Sequence, residues 1–245
     1  MAQPLKRPGG ELASRPLHFF WVVDCSGSMY GEKIASVNHA IQETIPEMRD
    51  AAADNPNAQL LVRTLKFSTG ASWVTSNPIN IEDFAWDDLD AGGVTDLGKA
   101  FELLAGQLTI PPMTDRALPP VIVLLSDGQP TDDYKKSLDE LLHLPWGKKA
   151  VRIAISIGQD ADDDVLLDFT GNRELILQAN NPQALVKMIK WASTAASLVS
   201  APASRPKDLE DVPTPTGAAK DTNAPLVLDM NNIPDPIDIG ADDVW

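Results

Sequence analysis

The chain has 245 residues, 43% of them hydrophobic, enough for one substantial core, and its single cysteine excludes an internal disulfide. A formal net charge of −15 opposes binding to nucleic-acid phosphates and anionic lipid, because repulsion must be overcome before any contact forms. No stretch approaches the ~20 apolar residues that cross a bilayer, and residues 1–16, with Lys6, Arg7 and Arg15, hold no apolar secretory core, so the sequence predicts a soluble cytoplasmic protein with neither nucleic acid nor membrane as partner.

Residues 18–23 form a continuous apolar run ended by Asp24, the pattern of a central strand buried on both faces of a parallel sheet. Over 32–53, Ile34, Val37, Ile41, Ile45 and Met48 recur at spacings of three and four, which predicts an amphipathic helix that Pro46 can kink. Residues 60–67 read as a strand, Ser68-Thr69-Gly70 as a tight turn and 71–75 as a short partner strand, an antiparallel hairpin at one sheet edge. Residues 77–93 are acidic and irregular, with a short helical turn expected over 83–89. Thr95 is placed to cap a helix running to Leu108, whose buried stripe is Leu97, Phe101, Leu104 and Leu108.

Proline-rich connectors lead to residues 121–125, five apolar residues stopping at Ser126-Asp127-Gly128, which repeats the strand-then-aspartate design. Further alternation follows: helix 134–143, strand 151–157, helix 163–169, strand 174–177 and helix 182–198. Strands alternating with helices predict an α/β fold, a doubly wound and mostly parallel six-stranded sheet in order 3-2-1-4-5-6, with a short antiparallel edge strand and helices on both faces. The expected division is an N-terminal arm (1–16), one domain (17–198) and a proline-rich acidic tail (199–245). The tail reads equally as a solubilising spacer and as a docking segment built on Val227, Ile233, Ile237, Ile239 and Trp245.

Five oxygen-bearing residues fall where such a sheet gathers its loops: Asp24, Ser26 and Ser28 after one central strand, Thr95 at a helix start, and Asp127 after the other central strand. In a doubly wound sheet the loops leaving two adjacent central strands diverge and open a crevice at the strands' C-terminal ends. Gly27 permits a sharp turn between the serines, and Gly92 and Gly93 let the Thr95 loop approach. Hydroxyl and carboxylate donors without histidine or a second cysteine suit a hard cation, Mg²⁺ first and Mn²⁺ next. If the hydroxyls bind directly and an aspartate acts through water, the ion stays under-neutralised and attracts a carboxylate from a protein partner.

At these residues the sequence resembles the von Willebrand factor A family, whose metal-ion-dependent adhesion site has the pattern Asp-x-Ser-x-Ser, a distant Thr and a distant Asp-Gly. All five ligand positions are filled here, by Asp24, Ser26, Ser28, Thr95 and Asp127, and the resemblance covers about 18–198. The segments Val23-Asp24-Cys25-Ser26-Gly27-Ser28-Met29 and Leu125-Ser126-Asp127-Gly128-Gln129-Pro130-Thr131-Asp132 look closest to the bacterial tellurite-resistance-type subgroup. That resemblance implies a non-enzymatic, Mg²⁺-dependent signalling scaffold, with a protein kinase or a PP2C-type phosphatase among its partners.

Alternative readings attach to the same residues. Asp24 beside Mg²⁺ can serve as the nucleophile of a hydrolase or phosphotransferase, although Ser26 stands where dehalogenase-like phosphatases place a second aspartate. A metal that only stiffens the loops of a structural subunit is a third reading. Cys25 is expected to pack in the core, and His18, His39 and His143 to lie at a strand edge or on helix surfaces. Asp96, Asp132 and Asp133 are candidates to orient ligands around the ion, while residues 160–164 read as a solvated helix start.

Overall fold

The computed structural model describes residues 14–200 apart from 56, 128, 159 and 160, with side chains to residue 193. The expected N-terminal arm before residue 14 and the tail beyond residue 200 lie outside the described residues. The elements run β1 (Arg15–Asp24), α1 (Glu32–Ala53), β2 (Ala58–Ser68), β3 (Gly70–Trp73), β4 (Ile79–Asn80), α2 (Leu97–Gln107), β5 (Val121–Ser126), α3 (Tyr134–His143), α4 (Pro145–Lys149), β6 (Val151–Ile157), α5 (Asp163–Thr170), β7 (Ile176–Ala179) and α6 (Pro182–Ser200). They form one sheet in the order β3-β2-β1-β5-β6-β7, with β4 also paired to β2. Set aside the two-residue β4, and this is the order expected from the alternation of strands and helices.

Strand β1 sits at the centre because it can bury both faces. It pairs in parallel with β2 and with β5, Phe19 lying opposite Val62 on one side and Val121 on the other. Alternate side chains feed two cores. Phe19, Trp21 and Val23 pack with Ile34, Val37 and Ile41 of α1 and Leu185, Met188 and Ile189 of α6. Phe20 and Val22 pack on the other face with Phe101 of α2, Leu138 of α3 and Phe169 of α5. Each fully buried side chain of this size contributes roughly 1.5–3 kcal/mol by leaving water, so β1 anchors the sheet.

The edge beyond β2 is held by polar contacts. Arg63 donates to the carbonyls of Thr75 and Ser76, and its guanidinium lies 3.9 Å over the Trp73 ring. Among the described residues no helix is long and apolar enough to cross a membrane.

Four local expectations change. Residues 83–89 form no helix, because the Asn38 side chain claims that segment's polar groups: its oxygen accepts from Trp86 Nε1 and Leu89 N, and its nitrogen donates to the Leu89 carbonyl. Strand β7 starts two residues later than expected, since Arg173–Leu175 closes a 3₁₀ turn capped by Asn172. Short elements β4 and α4 were not anticipated, being too brief to show a period. Helix α2 begins at Leu97, after an N-cap at Asp96, so Thr95 is not its cap.

Candidate metal centre

Asp24 ends β1 and Asp127 follows β5, so adjacent strands bring the two carboxylates to the same edge of the sheet. That edge is a switch point: the chain leaves β1 through α1 into one core and leaves β5 through α3 into the other. Both aspartates are buried, yet their surroundings differ sharply.

Asp24 is fully engaged. Its Oδ1 accepts the Ser26 backbone N–H at 2.8 Å, and its Oδ2 accepts the Ser126 hydroxyl at 2.6 Å. Burial pushes its carboxyl up to about 6; hydrogen bonds from Ser126 and Ser26 oppose that rise, and the charge of Asp127 adds to it. Asp127 is 1% exposed, and among the described residues neither of its carboxylate oxygens has a hydrogen-bond partner. The Lys33 ammonium stands 3.8 Å from Oδ2, beyond hydrogen-bond reach. A buried carboxylate left this way costs several kcal/mol unless a cation meets it.

The hydroxyls are gathered by the loop after β1. Residues Gly27–Met29 make one 3₁₀ turn, with Tyr30 N–H bonded to the Gly27 carbonyl and Met29 fully buried beneath as its anchor. The Ser26 and Ser28 hydroxyls lie 3.0 Å apart.

Two backbone bonds sew this turn to the loop before α2: Gly27 N–H to the Gly93 carbonyl at 3.1 Å, and Gly92 N–H to the Cys25 carbonyl at 2.8 Å. Gly93 has φ +88° and a Cβ there would fall 2.5 Å from the Thr69 hydroxyl, so a side chain is excluded on both counts. Thr95, two residues on, is buried. Its N–H donates to the Thr131 hydroxyl and its carbonyl accepts the Thr131 N–H, which fastens the loop after β5 as well.

The neighbouring acids have other duties. Asp132 accepts from Gly98 N–H and Lys99 N–H, so it caps α2 from another loop. Asp96 accepts from Gly70 N–H at 2.7 Å and, more weakly, from the Thr131 hydroxyl, tying the β2–β3 turn to the site loops. Asp133 precedes α3 without a side-chain cap bond. Asp162 caps α5, whereas Asp163 turns inward to the Ser156 hydroxyl and Gln178 amide, a correction to the solvated reading of that run.

Cys25 is buried and its thiol is pushed up to about 12, chiefly by burial and then by Asp24, so it supplies no thiolate near neutral pH. His18 is buried on a central strand, stacked 6.0 Å from Phe20, and not at a sheet edge as expected. Burial, then Arg63, lowers its pKa. His39 and His143 are exposed on α1 and α3.

Two residues escaped the sequence reading. Ser126 was visible only as the residue at which the apolar run 121–125 stops, though it immobilises Asp24. Lys33 carried a signal: a cation in the first turn of α1 opposes the helix dipole unless an anion faces it.

Among the described residues no cluster of three or more His, Cys, Asp and Glu side chains could hold a metal. The available set is instead two carboxylates with hydroxyls, a hard-oxygen environment. The Asp127 carboxylate, paired with Lys33 but accepting no hydrogen bond among the described residues, fits a bound divalent cation.

This sheet, with a hydroxyl-rich loop at its switch point, defines a doubly wound α/β domain. Residues 20–191 match the von Willebrand factor type A domain, and the chain belongs to that family. Its domains are mostly non-enzymatic adhesion and interaction modules, commonly with a divalent metal ion. No curated protein sequence matches the chain.

Among solved structures it is similar to the ArnB paralog VWA2 from Sulfolobus acidocaldarius (22% identity, TM-score 0.52, covering 71% of this chain and 44% of that one). It is similar also to the pilus adhesin SpaC from Lactobacillus rhamnosus GG (16%, TM-score 0.58, 74% and 30%). A third is proximal thread matrix protein 1 from the mussel byssus, with a zinc-occupied adhesion motif (16%, TM-score 0.55, 77% and 49%). The chain spans less than half of each of these proteins, and at such identities the likeness is one of fold.

Proposed function

We propose that this protein is a Mg²⁺-dependent protein-recognition module in which Asp24, Ser26, Ser28, Thr95 and Asp127 hold the ion and a partner supplies an acidic side chain. The observation that carries the reading is the Asp127 carboxylate, buried with neither oxygen hydrogen-bonded among the described residues, after a strand adjacent to the one that leads into the paired Ser26 and Ser28 hydroxyls. Asp24 has both oxygens committed, so it contributes charge and order, while Asp127 and the hydroxyls are the open donors. When bound, the ion supplies a positive charge, incompletely neutralised, that draws a carboxylate. Hard oxygen donors favour Mg²⁺ or Mn²⁺; zinc in the mussel protein makes metal competition part of the test.

The likeness of residues 23–29 and 125–132 to the tellurite-resistance-type subgroup supports a cytoplasmic scaffold or regulator serving a protein kinase or a PP2C-type phosphatase. The rival hydrolase would need Asp24 as nucleophile, and that carboxylate is buried with both oxygens hydrogen-bonded. Phosphoester turnover lost in Asp24→Asn would restore the rival. Calorimetry is expected to show saturable Mg²⁺ binding that Asp127→Ala abolishes while circular dichroism stays unchanged. A folded protein that binds neither Mg²⁺ nor Mn²⁺ at millimolar concentration would overturn the proposal.

A further inference from the structure

We infer that Lys33 is a specificity-determining residue of the metal face: its ammonium, which neighbours Asp127, takes one oxygen of the partner's carboxylate while the ion takes the other. This rests on the metal reading above and adds the residue of this chain that selects an anion at the site.

The first observation is where Lys33 stands. It belongs to the first turn of α1, and its Nζ lies 3.8 Å from Asp127 Oδ2. Of the two side chains, Lys33 is the one that reaches solvent, at 15% exposure against 1% for Asp127. Gly27 and Ser28, in the turn that precedes α1, are exposed as well. Lysine at this position does not favour the helix by itself, because a cation in the first turn opposes the helix dipole. Nor does packing call for it, since Met29 and Ile34 supply the buried apolar side chains at this end of α1.

The second observation is the charge count. Asp24 and Asp127 together balance a divalent ion, and the hydroxyls of Ser26, Ser28 and Thr95 add no charge. A set of donors that is formally neutral with its ion pulls only weakly on an anion. The Lys33 ammonium, beside one of the two carboxylates, leaves a positive charge over, and that surplus stands where an incoming anion meets the site.

A carboxylate fits this pair of positive groups. One of its oxygens binds a cation while the other accepts from an ammonium, and charge-assisted bonds of that kind are the strong ones. A phosphate monoester would bring more negative charge and a third oxygen against Asp24 and Asp127, which as carboxylates offer no proton donor. Lys33 therefore acts with opposite sign on two ligands. It opposes the ion, with which it shares Asp127, and it favours the anion that the ion draws.

The test uses the full chain with Mn²⁺ replacing Mg²⁺ and acetate as the probe anion, at neutral pH and fixed ionic strength. Calorimetry reads metal affinity, and water-proton relaxation reads the displacement of ion-bound water by acetate. Lys33→Gln is expected to weaken acetate binding several-fold while Mn²⁺ binds at least as tightly as in the native chain; a general loss of structure would weaken both. Lys33→Arg, which keeps the charge, is expected to recover the acetate affinity. Lys149→Gln removes the same charge just before β6, at the opposite edge of the sheet, and is expected to change neither reading. Acetate affinity unchanged in Lys33→Gln, lost equally in Lys149→Gln, not recovered in Lys33→Arg, or undetectable in the Mn²⁺-loaded native chain overturns the inference and leaves the metal reading standing. Acetate and Mn²⁺ affinity lost together in Lys33→Gln makes the lysine a structural support and overturns the inference. A loss confined to methyl phosphate, with acetate unaffected, assigns the ammonium to phosphate and overturns it too. Failure of Mn²⁺ to bind the folded native chain overturns the metal reading and the inference together.

Discussion

At the scale of single residues, Asp24 and Asp127 differ in their hydrogen bonds: Asp24 accepts one at each oxygen, whereas Asp127 accepts none among the described residues. Asp24 is held by the Ser126 hydroxyl and the Ser26 N–H, and its carboxyl is nevertheless raised to about 6, first by burial. An unfolded chain ionises this group near pH 4, so between pH 4 and 6 the folded state binds more protons than the unfolded one and stability falls as pH rises. The contribution is absent below about pH 4 and complete above about pH 6, where it costs about 3 kcal/mol in the metal-free protein. Urea unfolding in chelator across that window is expected to show this loss as the difference between the native chain and Asp24→Asn, whose profile lacks it. Lys33 exerts the second residue-scale effect. Its ammonium, 3.8 Å from Asp127, competes with a metal ion for the same charge. At an effective dielectric near 20 such a pair is worth a few kcal/mol, and Lys33→Gln is expected to tighten Mg²⁺ binding by about tenfold in calorimetry. Unchanged or weaker affinity would mean that the ammonium does not oppose the ion.

Among the elements, α2 shows how the site loops depend on side chains distant in sequence. Its first N–H groups are capped by Asp132, which lies beyond β5, and the loss of a cap costs about 1 kcal/mol. Asp132→Ala is therefore expected to lower the melting temperature by a few degrees while leaving metal stoichiometry at that of the native chain, measured by thermal unfolding and calorimetry side by side. Loss of metal binding would instead make Asp132 part of the ion's surroundings. The same distance in sequence explains what could be read without a structure. The apolar runs ending in Asp24 and Asp127, and the helical period of Ile34, Val37 and Ile41, are local patterns, and they suffice for the sheet order and for placing the candidate donors at one edge. Caps and clamps made across the fold leave no local mark. Thr95 had the look of an N-cap because a hydroxyl precedes a helix, but its backbone is occupied by Thr131, 36 residues away. Asn38 holds residues 86–89 from 51 positions away at Leu89, so a stretch with helical composition is pulled straight.

For the whole molecule, the question is whether the metal builds the site or finds it built. Four backbone bonds join the loops: Gly27 to Gly93, Gly92 to Cys25, Asp96 to Ser68, and Thr131 to Thr95. Buried Met29 and the tight approach of Gly27 to the Gly93 carbonyl hold the same loops from below. A site fixed by the sheet on three sides gains from an ion only by mass action, about 2.7 kcal/mol at a metal concentration of 100 times Kd. A site organised by the ion would open locally when the ion is withdrawn, and amide exchange reports that opening directly. Exchange of the Gly27, Gly92, Asp96 and Thr131 amides is thus expected to be slow in chelator, with Mg²⁺ adding protection no greater than its effect on global stability. Fast exchange of these four in chelator, recovered on adding Mg²⁺ while the amides of β1 and β5 stay protected throughout, would make the ion a structural brace for the loops. The recognition role predicts the opposite pattern, because a partner's carboxylate then meets donors that the fold has already aligned.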